Sequence, residues 1–268
     1  MNPLIYRRLK PIFNFLTFLT IVFVLAPLLV SLAISFSQLP FATFPPRGFT
    51  LKWYEQIATN PDFLSALQLS MALAVTSTLF SLIVGIPASL VIARSTDRYL
   101  ARTCEAILLS PLLLPVLITG LSLLQFSTWS HINDPIANMF IGYTVVTIPY
   151  VIRTVVTSLK LVNPSLEEAA RTLGANSVRA FFRITMIQIA PGVMSGALFS
   201  FMVSLDNYTI SMWFSDASSS PLPIFMMKSI DNVFDPSIAA MAGVMLVLGS
   251  LIVLVLERLV GLRRSMGI

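Results

Sequence analysis

The sequence has very little of the chemistry that most enzymes need. It contains one cysteine, Cys104, and one histidine, His131. A single thiol excludes an internal disulfide and a metal site built from cysteines alone, and a lone histidine has no second imidazole with which to share a metal. No Gly-Lys dipeptide occurs, so the chain has no phosphate-binding loop for ATP. We therefore expect a protein that is not an enzyme, holds no cofactor and does not itself bind ATP.

Charge is also scarce. Only 11% of the residues are charged and 56% are hydrophobic, whereas a soluble domain has about 25% charged residues. The net charge of +5 would suit nucleic acid, but the basic residues are scattered at the ends of apolar runs rather than clustered on one face. The composition excludes a nucleic-acid-binding domain and predicts a chain embedded in the lipid bilayer.

The apolar runs predict an all-α fold with about six transmembrane helices. A helix needs about 20 predominantly apolar residues to cross a bilayer. The first run follows Arg7, Arg8 and Lys10 as in a signal peptide, but it is too long for one, so we interpret it as an uncleaved span. The six predicted spans are Ile12–Phe36, Phe63–Ala93, Ala106–Phe126, Ile136–Val156, Ile187–Trp213 and Ile238–Leu256.

The distribution of Lys and Arg predicts the orientation. Short loops rich in these residues stay in the cytoplasm. With both termini cytoplasmic, 14 of the 17 basic residues lie on the inner side, and Arg47, Lys52 and Lys228 lie outside. The inner set is Arg7, Arg8, Lys10, Arg94, Arg98, Arg102, Arg153, Lys160, Arg171, Arg179, Arg183, Arg258, Arg263 and Arg264. A short helix over Leu51–Ala58 is expected on the outer surface.

One charged segment, about 161–190, is patterned as a helical hairpin on the cytoplasmic side. Ser165 and Glu168 have the spacing of a capping box at a helix start, and Glu167 adds negative charge in the first turn. Gly174 suits a helix end with a left-handed backbone. Asn176 then caps a second short helix that carries apolar residues at Val178, Phe181, Phe182 and Ile184. From these features alone, an ordinary surface hairpin remains the alternative.

Asp206 is the most informative single residue, because ionisable side chains inside a membrane face a cavity or a partner. It follows a long apolar run and precedes Asn207, Tyr208 and Trp213. We predict that Asp206 lines a solute pathway and neutralises a cationic solute, with the two aromatic rings enclosing it. The alternative is that Asp206 lies at the outer interface, as a cap or as a partner of a neighbouring subunit.

Prolines and glycines within the predicted spans can kink a helix or allow two helices to approach closely. Ordinary helix packing is an equally good explanation for any one of them. The residues concerned are Pro111, Pro115, Gly120, Pro149, Pro191 and Gly196.

The hairpin resembles the EAA loop of permease subunits in bacterial ABC importers. Glu168-Ala169-Ala170 is followed at the family's spacing by Gly174 and Ile184, and Ala190-Pro191-Gly192 also matches. The chain departs from the family at Met186-Ile187, where Leu-Pro is usual. The resemblance implies that the hairpin docks on an ATPase subunit. The residues implied in that contact are Glu168, Ala169, Ala170, Gly174, Ala175 and Arg179.

The resemblance also implies a single transmembrane domain over 1–268, in the inner membrane of a bacterium. It implies as partners a second permease subunit, two ATP-binding subunits and an extracytoplasmic solute-binding protein. Ser204–Tyr208, Leu222–Ile224 and Leu114–Leu123 are similar to phrases of spermidine and putrescine permeases, which favours a polyamine as the solute. An opine-like compound, a phosphonate or another amine are alternatives, as is an ion-coupled secondary transporter.

Overall fold

The computed structural model describes residues 3–232 and 235–260, so that Arg263 and Arg264, which contribute to the orientation argument, lie outside the described residues. Within those ranges the chain forms helices and no strand. The α-helices are α1 (Pro3–Ile34), α2 (Lys52–Ala58), α3 (Pro61–Arg94), α4 (Arg98–Leu109), α5 (Val116–Trp129), α6 (Pro135–Leu161), α7 (Pro164–Thr172), α8 (Ser177–Ala180), α9 (Met186–Leu205), α10 (Tyr208–Phe214), α11 (Leu222–Asn232) and α12 (Pro236–Val260). This confirms the all-α prediction, including the short helix expected over Leu51–Ala58.

Five stretches are long and apolar enough to cross a membrane, and a bent pair of helices makes a sixth. The five correspond to the first, second, fourth, fifth and sixth predicted spans. They are Lys10–Ile34, Pro61–Arg94, Pro135–Leu159, Ser177–Leu205 and Pro236–Val255. The fold is therefore that of a multi-pass membrane protein.

The third predicted span, Ala106–Phe126, is not one straight helix. It is divided between α4 and α5, which meet at an angle of 100°. A single 3₁₀ turn, Ser110–Leu112, and then Pro115 separate the two helices. Proline lacks a backbone N–H and disfavours the helical conformation in the residue before it, so Pro115, which directly precedes α5, marks a break in this span rather than a kink. Pro111 lies within the 3₁₀ turn.

The fifth predicted span also differs from the expectation. Helical structure is continuous from Ser177 to Leu205 and stops at Asp206, before the separate short helix α10. Asp206 therefore follows the span instead of lying within it. The prediction placed the end of the span too late, because the apolar residues continue through α10 and hydropathy alone does not reveal the break.

The chain divides into two compact units. One comprises residues up to Pro61 together with Met226–Leu248. In this unit Tyr54 of α2 shares a hydrogen bond of 2.8 Å with Ser35, and its hydroxyl lies against the backbone of Gly243 in α12. The Trp53 indole donates to the carbonyl of Ser37 at 2.7 Å. These contacts attach α2 to the end of α1 and to α12.

The other unit, Asp62–Phe225 with the chain after Leu248, is built around α6. The side chains of Val151, Ile152 and Val155 in α6 are fully buried. Gly196 of α9 lies so close to α6 that an added Cβ would stand 2.7 Å from the Thr154 hydroxyl oxygen. Gly192 meets Ser158 in the same way. Small residues thus let the two helices approach, which is how helices associate where lipid offers no hydrophobic driving force.

Hydroxyl pairs join the remaining long helices of this unit. Ser77 of α3 bonds to Ser204 of α9 at 2.9 Å, and Ser81 bonds to Thr147 of α6 at 2.8 Å. All four side chains are buried. Buried hydroxyls in an apolar interior are costly unless they are paired, so these pairs fix how the helices are rotated against each other.

Candidate functional site

The first helix of the predicted hairpin, α7, begins at Pro164 and is capped by Asn163. The Asn163 side-chain oxygen accepts hydrogen bonds from the backbone N–H of Ser165 at 3.1 Å and from the Ser165 hydroxyl at 2.8 Å. The predicted capping box of Ser165 and Glu168 is therefore wrong. Pro164 suits the first helical position, because its fixed φ is helical and its missing N–H needs no partner there. The cap consequently lies two residues earlier than the pattern suggested.

The turn after α7 has the predicted left-handed glycine. Gly174 has a φ of +92°. Its N–H donates to the carbonyl of Arg171, and the N–H of Ala175 donates to the carbonyl of Ala170, both at 3.0 Å. This pair of bonds is the Schellman arrangement that closes many helices. The left-handed backbone at this position favours glycine, because glycine has no Cβ to strain it.

Asn176 caps the second helix, as predicted. Its side-chain oxygen accepts a hydrogen bond from the N–H of Arg179 at 2.8 Å. That helix is not a separate short element, however. It passes through a π-helical turn over Phe181–Thr185 directly into α9. Any force on α8 is therefore applied to the start of a span, without an intervening loop.

The residues implied in docking are spread over the surface of the hairpin. Glu168, Ala169, Gly174 and Arg179 are exposed, and Ala170 and Ala175 are half-buried. Large apolar side chains are exposed beside them. Sequence reasoning placed Val178 and Phe182 on the second helix without a partner and missed Leu173. The exposed fractions are 89% for Leu173, 65% for Val178 and 59% for Phe182. Neighbouring exposed apolar groups of this size are typical of protein-binding surfaces.

Glu167 forms a polar cluster with three side chains. The spacing of four residues indicates Arg171 as a partner within α7, whereas no local pattern indicates Arg94 or Thr185. One carboxylate oxygen accepts from the Arg94 guanidinium at 2.6 Å and from the Thr185 hydroxyl at 2.7 Å. The other accepts from Arg171 at 2.7 Å. Glu167 is 7% exposed and Thr185 is fully buried. The hydrogen bond from Arg94 is the main cause that lowers the pKa of Glu167 to about 2.

Around the end of α9, the structure separates the four residues predicted to line a solute pathway. Asp206 and Tyr208 are exposed, whereas Asn207 is buried. The Asn207 side chain caps α10 by accepting from the N–H of Ile210 at 3.1 Å. The backbone carbonyl of Asn207 accepts hydrogen bonds from the Ser211 hydroxyl and, at 3.4 Å, from the Tyr143 hydroxyl. Asn207 thus holds the break between the two helices in place.

Trp213 is half-buried and packs on α5. An added Cβ at Gly120 would stand 2.5 Å from its indole ring, so this glycine makes room for the ring. Among the described residues the indole nitrogen has no hydrogen-bond partner. A buried indole N–H normally has a partner, and Trp213 here serves α5–α10 packing with its polar edge unpaired.

A groove of about 570 Å³ runs along the α6–α9 pair. Its lining surface is mostly apolar, but five of the lining residues carry a hydroxyl group. The rings of Tyr150 and Phe199 lie 6.3 Å apart between centroids. The hydroxyls of Thr154 and Thr157 donate to carbonyls of their own helix, so their lone pairs are free to accept. Arg153 supplies a positive charge in the same groove.

Residues 81–265 match the family model described as "Binding-protein-dependent transport system inner membrane component". That stretch contains the hairpin, the break at Asp206 and more than half of the chain. The chain belongs to this family. The family assignment confirms the resemblance stated from the EAA loop, and identifies the chain as an ABC-importer permease.

Curated permeases are similar over most of this permease. The putrescine transport system permease protein PotI of Escherichia coli (strain K12) is 30% identical over 230 residues, which are 84% of this chain and 82% of that protein. The spermidine/putrescine transport system permease protein PotC of the same strain is 25% identical, with 90% of each chain covered. The molybdenum transport system permease protein ModB of Mycobacterium tuberculosis is 29% identical over 74% of this chain and 80% of its own length.

Solved ABC transporters share the fold of this permease. One is a bacterial alginate ABC transporter in complex with an alginate pentasaccharide-bound periplasmic protein, with a TM-score of 0.71, 16% identity and 94% of each chain covered. Another is the MetNI methionine ABC transporter in inward-facing conformations, with a TM-score of 0.63, 18% identity, and 74% of this chain and 94% of that chain covered.

Proposed function

We propose that this permease imports a polyamine, of the putrescine or spermidine type, across the inner membrane of a bacterium. In this proposal it forms the membrane channel with a second permease subunit, receives the solute from an extracytoplasmic binding protein and is driven by ATP hydrolysis on two partner subunits. The similarity to two polyamine permeases over more than four fifths of the chain is the observation that carries the solute class.

The break after α9 supports a cationic solute. The last carbonyls of a helix carry partial negative charge, and broken helices in transporters present such ends to bound cations. The exposed carboxylate of Asp206 lies at this end of α9. Tyr208, the first residue of α10, is 39% exposed, which leaves part of its ring available to an ammonium group.

The hairpin supports the role of the ATP-binding subunits. Glu168, Ala169, Ala170, Gly174, Ala175 and Arg179 would contact them, together with the exposed apolar side chains of Leu173 and Val178. Small residues permit close approach of a partner, and the apolar side chains supply buried area on docking. Because α8 continues into α9, movement of the docked subunit would reach the membrane directly.

The test is reconstitution of the whole importer in proteoliposomes with its binding protein and ATPase. We expect ATP-dependent uptake of labelled putrescine that excess unlabelled spermidine inhibits. Purification of the tagged chain should also recover an ATPase. An absent ATPase, or uptake that follows an ion gradient instead of ATP, would contradict the ABC mechanism.

An oxyanion is the second candidate solute. It is favoured by the positive charge of Arg153 in the α6–α9 groove and by the similarity to the molybdenum permease. A competition assay distinguishes a polyamine from an oxyanion as the solute. If the solute is a polyamine, excess spermidine should inhibit putrescine uptake and excess molybdate should not. ATP-dependent uptake of molybdate without uptake of putrescine would replace the polyamine by an oxyanion.

A further inference from the structure

Glu167 joins three parts of the chain that are far apart in sequence. Arg94 is the last residue of α3, Glu167 belongs to the first helix of the hairpin, and Thr185 ends the π-helical turn that leads into α9. Arg94 also donates to the Thr185 hydroxyl at 3.2 Å, so the three side chains form a closed triangle. Two candidate membrane spans therefore meet the hairpin at one carboxylate.

The bonds in this triangle are of the strong kind. Hydrogen bonds between a guanidinium and a carboxylate are shorter and stronger than neutral ones, and the two bonds to Glu167 from arginine measure 2.6 and 2.7 Å. Arg171 occupies the second carboxylate oxygen from within α7 itself. Leaving a buried carboxylate without its partners costs free energy. Moving α7 away from α3 or from the start of α9 therefore destabilises the protein.

The π-helical turn gives Thr185 a particular significance. Such turns are rare, and they often occur where a helix serves a function. The Thr185 hydroxyl is turned to Glu167 and away from solvent. A straight α-helix from Ser177 onward would rotate every residue after the turn, so the π turn determines which side chain of this helix meets the carboxylate.

We propose that Glu167, Arg94 and Thr185 are positioning residues that make the hairpin and the ends of α3 and α9 move as one unit. This inference rests on the proposed function, because it concerns how movement of a docked ATPase reaches the spans. The residues touch neither ATP nor solute. Without the triangle, movement of the docked ATPase reaches α9 only through α8 and is not passed to α3, so that less solute is transported for each ATP hydrolysed.

Thr185 offers the sharpest test. Thr185→Val keeps the size and shape of the side chain and removes the hydroxyl, whereas Thr185→Ser keeps the hydroxyl. In the reconstituted importer, we expect Thr185→Val and Glu167→Gln to bind the ATPase normally but to transport about tenfold less solute per ATP, as the loss of a charge-assisted hydrogen bond implies. Thr185→Ser should remain within about twofold of the wild type.

The combination of variants and a matched control complete the experiment. Arg94→Gln and Glu167→Gln together should lower transport per ATP no further than either alone, because both remove the same bond. Arg98→Gln removes an exposed charge four residues from Arg94 and should leave transport per ATP unchanged. Normal coupling in Thr185→Val and Glu167→Gln would overturn the proposal, as would multiplied losses in the double variant or loss of the ATPase from the complex.

A second measurement separates this inference from the proposed function. Hydrogen exchange of the purified chain reports whether the α7 amides, residues 164–172, are held by the triangle, and it needs neither ATPase nor solute. Thr185→Val should speed exchange in α7 at least several-fold while exchange in α6 stays unchanged. Unchanged exchange in α7 would overturn the inference even if the importer carries polyamines as proposed.

Discussion

At the scale of single residues, Glu167 and Glu168 show how neighbours in sequence can differ in environment. Glu168 carries the resemblance to the EAA loop and is exposed, so it is free to meet a partner. Glu167 carries no part of that resemblance and is buried between two arginines and a threonine. The two adjacent acids of α7 therefore point in different directions. Glu168 is exposed to a possible partner, and Glu167 bonds to other parts of the same chain.

The lowered pKa of Glu167 predicts how stability depends on pH. A folded-state pKa of about 2, below the ordinary value of 4.5, means that the ionised carboxylate is favoured by folding. Its contribution is complete above about pH 4.5 and is lost as the pH falls toward 2. In detergent at pH 7 we expect Glu167→Gln to be about 1–3 kcal/mol less stable than the wild type.

Thermal unfolding between pH 7 and pH 3 checks this. The difference in midpoint between the wild type and Glu167→Gln should narrow as the pH falls. Glu55→Gln, which changes an exposed acid of α2, should follow the wild type across the whole range. A difference that stays constant down to pH 3 would show that Glu167 contributes by packing and not by its charge.

The exposed carboxylate of Asp206 predicts a loss of affinity for a cationic solute. In Asp206→Asn we expect the apparent KM for putrescine uptake to rise about tenfold, which corresponds to the loss of one charge interaction. Glu55→Gln removes another exposed acid and should leave uptake unchanged. Unaltered affinity and rate in Asp206→Asn would exclude Asp206 from the solute pathway and favour the interfacial alternative.

At the scale of elements, two substitutions of Gly174, in the turn between α7 and α8, distinguish the effect of backbone strain from the effect of an added charge. A side chain at Gly174 would meet no neighbour within 4 Å, but it would be strained by the positive φ. Asn tolerates this conformation better than most residues, and Asp has the same shape with a charge. We expect Gly174→Asn to assemble with the ATPase, and Gly174→Asp to assemble poorly or to hydrolyse ATP without uptake.

Recovery of the ATPase with each tagged variant, together with uptake per ATP, decides between these effects. If Gly174→Asn and Gly174→Asp lose ATPase recovery and uptake per ATP to the same extent, the cause is backbone strain and not the added charge. Normal, coupled transport in Gly174→Asp would count against this turn as a docking surface.

Close approach of α6 and α9 predicts a second effect at the scale of elements. A methyl group at Gly196 would lie 2.7 Å from the Thr154 hydroxyl oxygen and 3.0 Å from the Cα of Val151. The backbone cannot yield as a flexible side chain would, so Gly196→Ala should destabilise the protein by about 1–3 kcal/mol. Gly249→Ala is the control, because its methyl would meet only the flexible end of Met202 at 3.4 Å.

Thermal unfolding in detergent measures both glycine variants. Gly196→Ala should unfold several degrees below the wild type, and Gly249→Ala should unfold close to it. Equal midpoints for the two would mean that α6 and α9 separate at little cost, contrary to their packing in the structure.

At the scale of the whole molecule, orientation in the membrane follows from the positive-inside rule and remains a prediction. Replacing Cys104 by serine gives a chain without thiols, into which one cysteine can be placed at a time. Val178→Cys marks the hairpin and Ala217→Cys marks the loop after α10, and both positions are exposed. An impermeant thiol reagent added to intact spheroplasts should label position 217, and should reach position 178 only after lysis.

The reverse labelling would place the hairpin on the outer side of the membrane. It would then be out of reach of any cytoplasmic ATPase, and the proposed mechanism would fall with the orientation. Labelling of both positions in intact spheroplasts would mean that the membrane is leaky to the reagent.

The sequence by itself determined the class of the protein, five of its six spans and the turn chemistry at Gly174 and Asn176. Length of apolar run, left-handed glycine and side-chain capping are local properties, and each acts within a turn or along a single helix. The EAA spacing likewise lies within one segment, so the family could be recognised without a fold. Even the cap at Asn163 was within reach, since the proline that follows it is a typical first helical residue.

Only the tertiary structure decided that Arg94 and Thr185 meet Glu167, that α4 and α5 bend by 100°, and that Asn207 is buried while Asp206 is exposed. Each of these depends on how helices distant in sequence are rotated and packed against each other. Arg94 and Glu167 are 73 residues apart, and no local pattern relates them. Because packing contacts are made in space and not along the chain, the link between hairpin and spans became visible only when the helices were assembled.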